Sequence, residues 1–222
     1  VDGLSFDVAP GEVLGIVGES GSGKSVTALS ILGLLPDPPG RIASGSIRFE
    51  GHEIVGMSKS ELRALRGPSI GMIFQEPMTA LNPVYTVGFQ IVETLRNHFD
   101  MGPKQARTRA IELLTMVEIP SPELSFDKYP HQLSGGQRQR AMIAQALACD
   151  PGLLVADEPT TALDVTIQAE ILDLMRSLKD RLNSAILLIT HDMGVVADMA
   201  DEILVMKDGL TVEHGTSDQI FN

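Results

Sequence analysis

Cysteine is nearly absent from the sequence, and no metal-binding pattern of cysteine and histidine is present. Cys149 is the single cysteine among 222 residues, so no disulfide can form within the chain. The five histidines are scattered, without the cysteine or carboxylate spacing that a zinc site requires. These absences exclude an internal disulfide framework and a zinc-binding fold, and they favour a reducing, cytosolic setting.

Positive charge is scarce as well. The 17 lysine and arginine residues stand against 29 aspartate and glutamate residues, which gives a formal net charge of -12. DNA, RNA and anionic lipid would therefore meet like charge over most of the surface. The sequence predicts that nucleic acid is not a partner.

Long apolar runs are also missing. No run approaches the roughly 20 residues that a membrane-spanning helix needs, and the first residues show no basic segment followed by an apolar one. We therefore expect that this chain does not cross a membrane by itself. A hydrophobic content of 43% is enough for one substantial core, so we expect a single domain with an inserted lobe.

Short apolar runs predict the sheets. Leu4, Phe6 and Val8 alternate with polar residues, as do Ile47 and Phe49, which predicts half-buried strands of an antiparallel sheet. Continuous apolar runs bounded by glycine, proline or charged residues are typical of strands buried on both faces. Five such runs are present: Val13–Val17, Ile70–Phe74, Leu153–Ala156, Ala185–Ile189 and Ile203–Met206.

Helical periodicity lies between these runs. Apolar residues from Ile167 to Leu182 recur at spacings of three and four, which predicts one amphipathic helix. Ser58 and Glu61 form a capping-box pattern that predicts the start of a short helix. The alternation of buried strands with helices predicts an α/β fold with a wound parallel sheet.

The buried-strand pattern disappears from about residue 77 to residue 130. Helical spacing replaces it, and prolines and turn residues mark the joints between helices. One helix face is predicted at Ala110, Leu113, Leu114 and Val117. We therefore predict an α/β core with an antiparallel β subdomain in residues 1–76 and 131–222, and an inserted helical subdomain in residues 77–130.

A glycine-rich segment, Gly18–Ser25, follows the first buried run and precedes a helix, and we call it the phosphate loop. Its three glycines let the backbone N–H groups turn inward around phosphate oxygens. Lys24 adds a charge for the β- and γ-phosphates, and Ser25 offers a hydroxyl to Mg²⁺. The helix N-terminus adds to the attraction for anions. This segment predicts a site for ATP or GTP.

Two carboxylates end another buried run. Asp157 and Glu158 follow Leu153–Ala156, and in a phosphate-loop fold the end of such a strand lies beside the nucleotide. Asp157 can hold Mg²⁺ directly or through water. Glu158 faces a different way and can act as the general base that activates the attacking water.

A glycine pair opens a helix at Ser134–Gln137, a segment that we call the signature turn. Ser134 can form an ordinary helix N-cap. The two glycines can also offer bare N–H groups, together with the Ser134 hydroxyl, to a second set of phosphate oxygens. The residues alone leave both interpretations open.

Taken in order, these motifs resemble those of the ATP-binding-cassette ATPases over essentially the whole chain. The resemblance implies a P-loop NTPase fold with a RecA-like core. Six motifs carry it: a Walker A motif at Gly18–Ser25, a Q-loop at Gln75, a signature motif at Leu133–Gln137, a Walker B motif at Leu153–Glu158, a D-loop at Thr161–Asp164 and a switch histidine at His191.

The resemblance implies a mechanism in which two cassettes pair head to tail and enclose ATP and Mg²⁺ between them. Glu158, His191 and Gln75 would then be catalytic, and Ser25, Gln75 and Asp157 would serve the metal. The residues implied to bind nucleotide, in this chain's own site or the partner's, are Gly18, Glu19, Ser20, Gly21, Ser22, Gly23, Lys24, Ser25, Val26, Ser134, Gly135, Gly136, Gln137 and Asp164.

Three further segments resemble the cassettes of dipeptide, oligopeptide and nickel importers: Glu76–Pro83, Tyr129–Gln132 and Asp164–Gln168. This resemblance implies uptake of a peptide-like solute, with transmembrane permease subunits as partners and a solute-binding protein acting indirectly. The helical subdomain would receive a coupling helix of the permease. The chain would lie peripherally on the cytoplasmic face of the cell membrane.

The sequence departs from the family at both ends. Family cassettes carry an aromatic residue before the first strand that stacks on adenine, and Phe6 is a poor substitute for it. Peptide-importer cassettes usually continue beyond the position of Asn222. We therefore expect a domain truncated at both ends, with weakened nucleotide affinity unless another residue stacks on the base.

Two other classes of protein compete with an importer ATPase. A non-transport cassette ATPase would act on nucleic acid or the ribosome, but the sequence shows no basic patch and no long coiled-coil insertion. A regulatory domain would bind ATP without turnover, but such a site commonly lacks the equivalent of Glu158 or His191. Both comparisons favour the importer.

Overall fold

A computed structural model of the chain describes residues 1–161, 163–182 and 184–222, apart from the side chains of Asp180 and Leu182. The strands are β1 (Val13–Gly18), β2 (Arg48–Phe49), β3 (His52–Glu53), β4 (Ile70–Ile73), β5 (Leu153–Asp157), β6 (Ala185–Thr190), β7 (Glu202–Lys207) and β8 (Leu210–Thr216). The helices are α1 (Lys24–Ile31), α2 (Lys59–Leu65), α3 (Pro77–Ala80), α4 (Val87–His98), α5 (Pro103–Met116), α6 (Pro122–Phe126), α7 (Gly135–Ala146), α8 (Val165–Leu182), α9 (Met193–Met199) and α10 (Ser217–Phe221).

The main sheet has the order β4-β5-β6-β1-β7-β8. Its first five strands run parallel, and β8 pairs antiparallel with β7. Each of the five continuous apolar runs coincides with one of these parallel strands, except that Phe74 lies just beyond the end of β4, so the five predicted strands are confirmed. Val13 and Val17 pack into one apolar cluster, whereas Leu14 and Ile16 pack into a second cluster. This alternation buries the sheet on both faces.

The first region differs from the prediction. Within the described residues, Leu4, Phe6 and Val8 belong to no strand, although all three pack partly buried against the second apolar cluster. The alternation of apolar and polar residues in this segment therefore reflects burial of one side of the segment, without pairing to a neighbouring strand. The antiparallel sheet is present as the short pair of β2 and β3, where Phe49 lies opposite His52.

The helices follow their sequence patterns closely. The predicted helix from Ile167 lies in α8, except that the side chain of Leu182 is outside the described set. The capping box of α2 is present, because Ser58 Oγ accepts from the Glu61 N–H at 3.3 Å and Glu61 Oε2 accepts from the Ser58 N–H at 2.7 Å. In residues 77–130 the regular elements are helical, and the predicted apolar face of α5 is fully buried.

The helices of residues 77–130 share one apolar cluster with α7, α8 and one face of the main sheet. Helix α7 packs against α3, α4 and α5 and also against β4 and α8. Helix α7 therefore joins the helical region to the sheet. No helix in the described part of the chain is both long enough and apolar enough to span a membrane.

Gly88 in α4 provides a test of this packing. A Cβ atom at Gly88 would lie 2.3 Å from the Phe126 ring, and the Arg107 guanidinium lies 4.0 Å above the same ring and restrains it. We expect Gly88→Ala to lower the free energy of unfolding by about 1–3 kcal/mol, because the extra methyl overpacks the contact. Urea unfolding measures the change. In Gly152→Ala the new Cβ would make ordinary contact at 3.4 Å, and this control should stay within about 0.5 kcal/mol of the parent. Equal stability of the two variants would contradict the packing described.

Asp201 anchors the start of β1 and gives the fold a dependence on pH. Its Oδ2 accepts from the Val13 N–H at 2.8 Å and from Lys179 Nζ at 2.9 Å. Burial alone raises the pKa of Asp201, but these hydrogen bonds outweigh burial and lower the pKa below its ordinary value.

A carboxyl group with a lowered pKa in the folded state stabilises the fold above its unfolded pKa, and that contribution is lost as the pH falls through the folded pKa. Asp201→Asn removes this titration. Between about pH 5 and pH 2, the parent should therefore lose more thermal stability than the variant loses. Thermal unfolding followed by circular dichroism across this range measures the difference. Identical pH profiles would show that Asp201 makes no such contribution.

Candidate active site

The parallel strands bring the predicted site residues to one edge of the sheet. Val17 pairs with Thr190, and Asp157 pairs with Ile189, so β1, β5 and β6 end side by side. The phosphate loop follows β1, the two carboxylates end β5, and His191 follows β6. Ligands of open α/β sheets bind at this carboxyl edge.

The glycines of the phosphate loop have a steric reason. Gly21 and Gly23 have φ angles of 84° and 105°, a region that side chains disfavour, and Gly23 caps α1. A Cβ atom at Gly18 would lie 2.2 Å from the carbonyl oxygen of Met206. Only glycine fits these positions, and the resulting bend places the loop at the N-terminus of α1.

Lys24 is held inside this loop. Its side chain is almost fully buried, and Nζ donates to the carbonyl oxygens of Gly18 at 2.7 Å and Glu19 at 3.0 Å. The Ser22 hydroxyl is also buried, and within the described residues it has no hydrogen-bond partner. A buried charge and an unpaired hydroxyl in one loop fit a phosphate group, whose oxygens can satisfy both.

Ser25 and Asp157 provide oxygen ligands beside the loop. Ser25 Oγ donates to Asp157 Oδ1 at 3.1 Å. Burial and the neighbouring charge of Glu158 raise the pKa of Asp157, while the Ser25 hydrogen bond and Lys24 lower it, and the net shift is upward. Mg²⁺ prefers a small number of carboxylate ligands together with phosphate oxygens and water. Ser25 and Asp157 fit that preference, because together they offer one hydroxyl and one carboxylate beside the phosphate loop.

Glu158 lies at the centre of a polar network. Its Oε2 accepts from Thr161 Oγ1 at 2.7 Å and from Gln75 Nε2 at 3.1 Å. His191 Nδ1 lies 3.4 Å from Glu158 Oε1. The Glu158 side chain is 17% exposed, whereas His191 is 62% exposed. The structure therefore brings together Gln75, Glu158 and His191, the three residues that the sequence predicts to be catalytic. The contact of Gln75 is with Glu158, and the role of Gln75 toward the metal stays a prediction.

Thr161 was not predicted to contact Glu158. The sequence predicts Thr161 only as part of the D-loop, of which Ala162 lies outside the described residues. The sequence signal for this contact is a hydroxyl residue three positions after a carboxylate residue, because a tight turn brings side chains at that spacing together. Thr161 N–H donates to the Glu158 carbonyl at 3.1 Å and closes that turn.

The signature turn begins α7 with a reciprocal cap. Ser134 Oγ accepts from the Gln137 N–H at 3.3 Å, and Gln137 Oε1 accepts from the Ser134 N–H at 3.2 Å. The predicted N-cap is therefore confirmed, and Ser134 itself is exposed. A Cβ atom at Gly136 would lie 2.7 Å from the Ile167 side chain, so the helix start packs closely on α8.

The remaining predicted residues are accessible. Asp164 is exposed, and its Oδ1 accepts from the Ile167 N–H at 3.1 Å at the start of α8. The exposed part of the phosphate loop consists of Glu19, Ser20 and Gly21. Val26, in the first turn of α1, is 46% exposed. The contacts of these residues with a nucleotide stay predictions.

Comparison with known proteins gives the family. A family model described as ABC transporter matches residues 1–161. The oligopeptide transport ATP-binding protein OppD of Bacillus subtilis is 54% identical over 221 residues, which cover 100% of this chain and 62% of that protein. The dipeptide transport ATP-binding protein DppD of Escherichia coli is 54% identical over 222 residues, which cover 100% of this chain and 68% of that protein. The chain thus spans roughly two thirds of the length of these relatives.

Solved structures agree in fold. The dimeric post-hydrolysis state of the ATP-binding cassette MJ0796 bound to ADP and Pi superposes with a TM-score of 0.84 at 30% identity, covering 96% of this chain and 88% of that chain. The cassette cbiO1 from Clostridium perfringens, part of the transporter complex cbiONQ, has a TM-score of 0.84 at 31% identity, covering 99% of this chain and 82% of that chain. The predicted fold class is confirmed. The chain therefore belongs to the ABC transporter family, as its motifs predict.

Proposed function

We propose that this chain is the ATP-binding and ATP-hydrolysing part of an ABC importer subunit that takes up a peptide-like solute. The observation that carries the proposal is the convergence of Gln75, Glu158 and His191, which follow three neighbouring strands, next to the Ser25–Asp157 pair. A water-activating base, a metal-binding pair and a phosphate loop at one edge of a sheet are the parts that hydrolysis of a nucleoside triphosphate needs. The similarity to OppD and DppD supports a peptide-like solute.

The phosphate loop positions the nucleotide. Lys24 places its charge at the β- and γ-phosphates, and the Ser22 hydroxyl donates to a phosphate oxygen. Ser25 and Asp157 would hold Mg²⁺, and Gln75 would sense it. When bound, this ion neutralises charge on the β- and γ-phosphate oxygens. The raised pKa of Asp157 falls near such a cation, which favours its ionised form.

Glu158 acts as the general base. Thr161 and Gln75 donate to its Oε2, which fixes the carboxylate and leaves Oε1 toward His191. Glu158 takes a proton from water, the water oxygen bonds to the γ-phosphorus, and the bond to the β–γ bridging oxygen breaks to leave ADP and phosphate. His191 contacts the γ-phosphate and stabilises its charge in the transition state.

A second cassette completes the site. The exposed Ser134, with the Gly135 and Gly136 N–H groups at the start of a 12-residue helix, suits the γ-phosphate of a nucleotide held by the partner. Asp164 would bridge the two sites. The similarity to the MJ0796 cassette, which is dimeric with ADP and Pi bound, supports this arrangement.

Permease subunits are the proposed membrane partners, and a solute-binding protein takes part indirectly. Residues 1–76 and 131–222 would form the α/β core with its β subdomain, and residues 77–130 would form the helical subdomain that receives the coupling helix. Val84, Tyr85 and Phe89 are 68%, 45% and 45% exposed, and the Tyr85 and Phe89 rings stack at 4.7 Å, which gives this region an apolar surface for such a helix. The assembly would place the chain on the cytoplasmic face of the membrane.

The first test concerns Glu158. Glu158→Gln removes the base and keeps the phosphate contacts, so we expect ATP hydrolysis to fall by about 100-fold or more while ATP binding persists. Phosphate release measures the rate, and gel filtration with ATP should show accumulation of paired cassettes. Glu213→Gln, an exposed glutamate on β8, is the control and should match the parent. Unchanged hydrolysis in Glu158→Gln would exclude Glu158 as the base.

The second test concerns Lys24. Lys24→Ala removes the buried charge of the phosphate loop, so we expect affinity for a fluorescent ATP analogue to fall by about 10-fold or more. Fluorescence titration measures the dissociation constant. Lys59→Ala changes an exposed lysine at the start of α2 and should bind as the parent does. Undiminished affinity in Lys24→Ala would count against the nucleotide site.

A further inference from the structure

The first two turns of α7 contact the segment that carries Glu158 and the start of α8. A Cβ atom added at Gly136 would lie 2.7 Å from the Ile167 side chain, and one added at Gly135 would lie 3.8 Å from the Leu163 side chain. One polar contact accompanies these apolar ones: Gln139 Nε2 donates to the carbonyl oxygen of Pro159 at 2.5 Å. The helix that begins with the signature turn is therefore tied directly to the residue after Glu158.

The Gln139 contact is fully enclosed. Its side chain is only 1% exposed, although it is polar and lies on a helix of the core. A carbonyl oxygen can only accept, so the amide nitrogen must face Pro159. An unpaired carbonyl in such a place carries a large desolvation penalty, which makes the contact costly to lose.

The turn that Gln139 holds is conformationally unusual. Glu158 has a φ of 47°, in the left-handed region that non-glycine residues rarely adopt. Such a residue persists only where its surroundings restrain it. Two hydrogen bonds do so from within the turn, from the Thr161 N–H and the Thr161 hydroxyl, and Gln139 restrains the next peptide group from outside.

We infer that Gln139 is a positioning residue: it fixes the Glu158 carboxylate, which activates water for attack on this chain's own nucleotide, and it couples that carboxylate to the signature turn, which engages the partner's nucleotide. This inference rests on the proposed function. Gln139 lies five positions after Ser134 on the same helix, so a displacement of the helix start is carried as a rigid body to Pro159. One hydrogen bond thus links two active sites through a single chain.

Gln139→Leu tests the link, because leucine keeps the size of the side chain and removes the donor. We expect kcat for ATP hydrolysis to fall by about 10- to 100-fold, as for a small misplacement of a catalytic group. The dissociation constant for a fluorescent ATP analogue should stay within about twofold of the parent value, because the phosphate loop is unchanged. Gln145→Leu is the matched control: the same residue type lies six positions further along α7, is partly buried, and should keep the parent kcat.

Gln139→Glu adds a readout that a purely structural role would not produce. A protonated carboxyl group donates to the Pro159 carbonyl, whereas an ionised one repels it, and burial raises the pKa of a carboxyl group. The ratio of the variant's kcat to the parent's kcat should therefore rise severalfold as the pH is lowered from about 8.5 to about 6, measured well below the melting temperature of each protein. The ratio for Gln139→Leu should stay constant over the same range.

The outcomes separate this inference from the proposed function. If the parent chain does not hydrolyse ATP, or Glu158→Gln hydrolyses it as fast as the parent, the proposed function fails. If Glu158→Gln is inactive but Gln139→Leu keeps the parent kcat, the positioning role alone is wrong. The role is also overturned if Gln145→Leu loses as much kcat, if ATP affinity falls in parallel with kcat, or if the Gln139→Glu ratio does not change with pH.

Discussion

The parallel pairing of β5, β6 and β1 is the constraint on which the site depends. These strands are buried on both faces, so their interiors must be apolar and polar chemistry can lie only at their ends. Their register then determines which ends meet. Asp157 lies opposite Ile189, and Val17 lies opposite Thr190. This register alone places the two carboxylates, His191 and the phosphate loop close together.

Side chains of opposite charge lie at this edge of the sheet. Lys24 is buried against backbone carbonyls of its own loop after β1, and the two adjacent carboxylates lie at the end of β5, which β6 separates from β1. Burial and like charge raise the pKa of Asp157, so the carboxylate pair is costly to ionise fully in isolation. In the proposed function, a triphosphate and a divalent cation would supply both signs of charge, which fits a buried lysine and a pair of carboxylates at the same edge.

The sequence predicts the parts of this fold that depend on local chemistry. Apolar runs bounded by turn residues predict the five parallel strands, and the glycines around Lys24 predict the phosphate loop, because sterics within a few residues dictate both. Alternation at Leu4–Val8 was misleading, since half-burial on an apolar cluster and half-burial in a sheet give the same pattern. Strand β8 was not predicted, because exposed residues along most of its length show no burial alternation. The Gln139–Pro159 contact was also beyond the sequence, because it joins residues 20 positions apart through tertiary packing.

Side chains of helix α7 contact three other parts of the chain. Arg140, which is mostly buried, donates to the Val117 carbonyl at 2.8 Å and pairs with Glu170 on α8, while the adjacent Gln139 holds Pro159. Arg140 also pairs with Glu118 at 3.3 Å, so one side chain of α7 contacts both α8 and the residues that follow α5. These contacts join the helical region to α7 and, through Gln139, join α7 to the turn that carries Glu158. In the proposed function, these contacts would connect the turn that engages the partner's nucleotide with the turn that carries the general base.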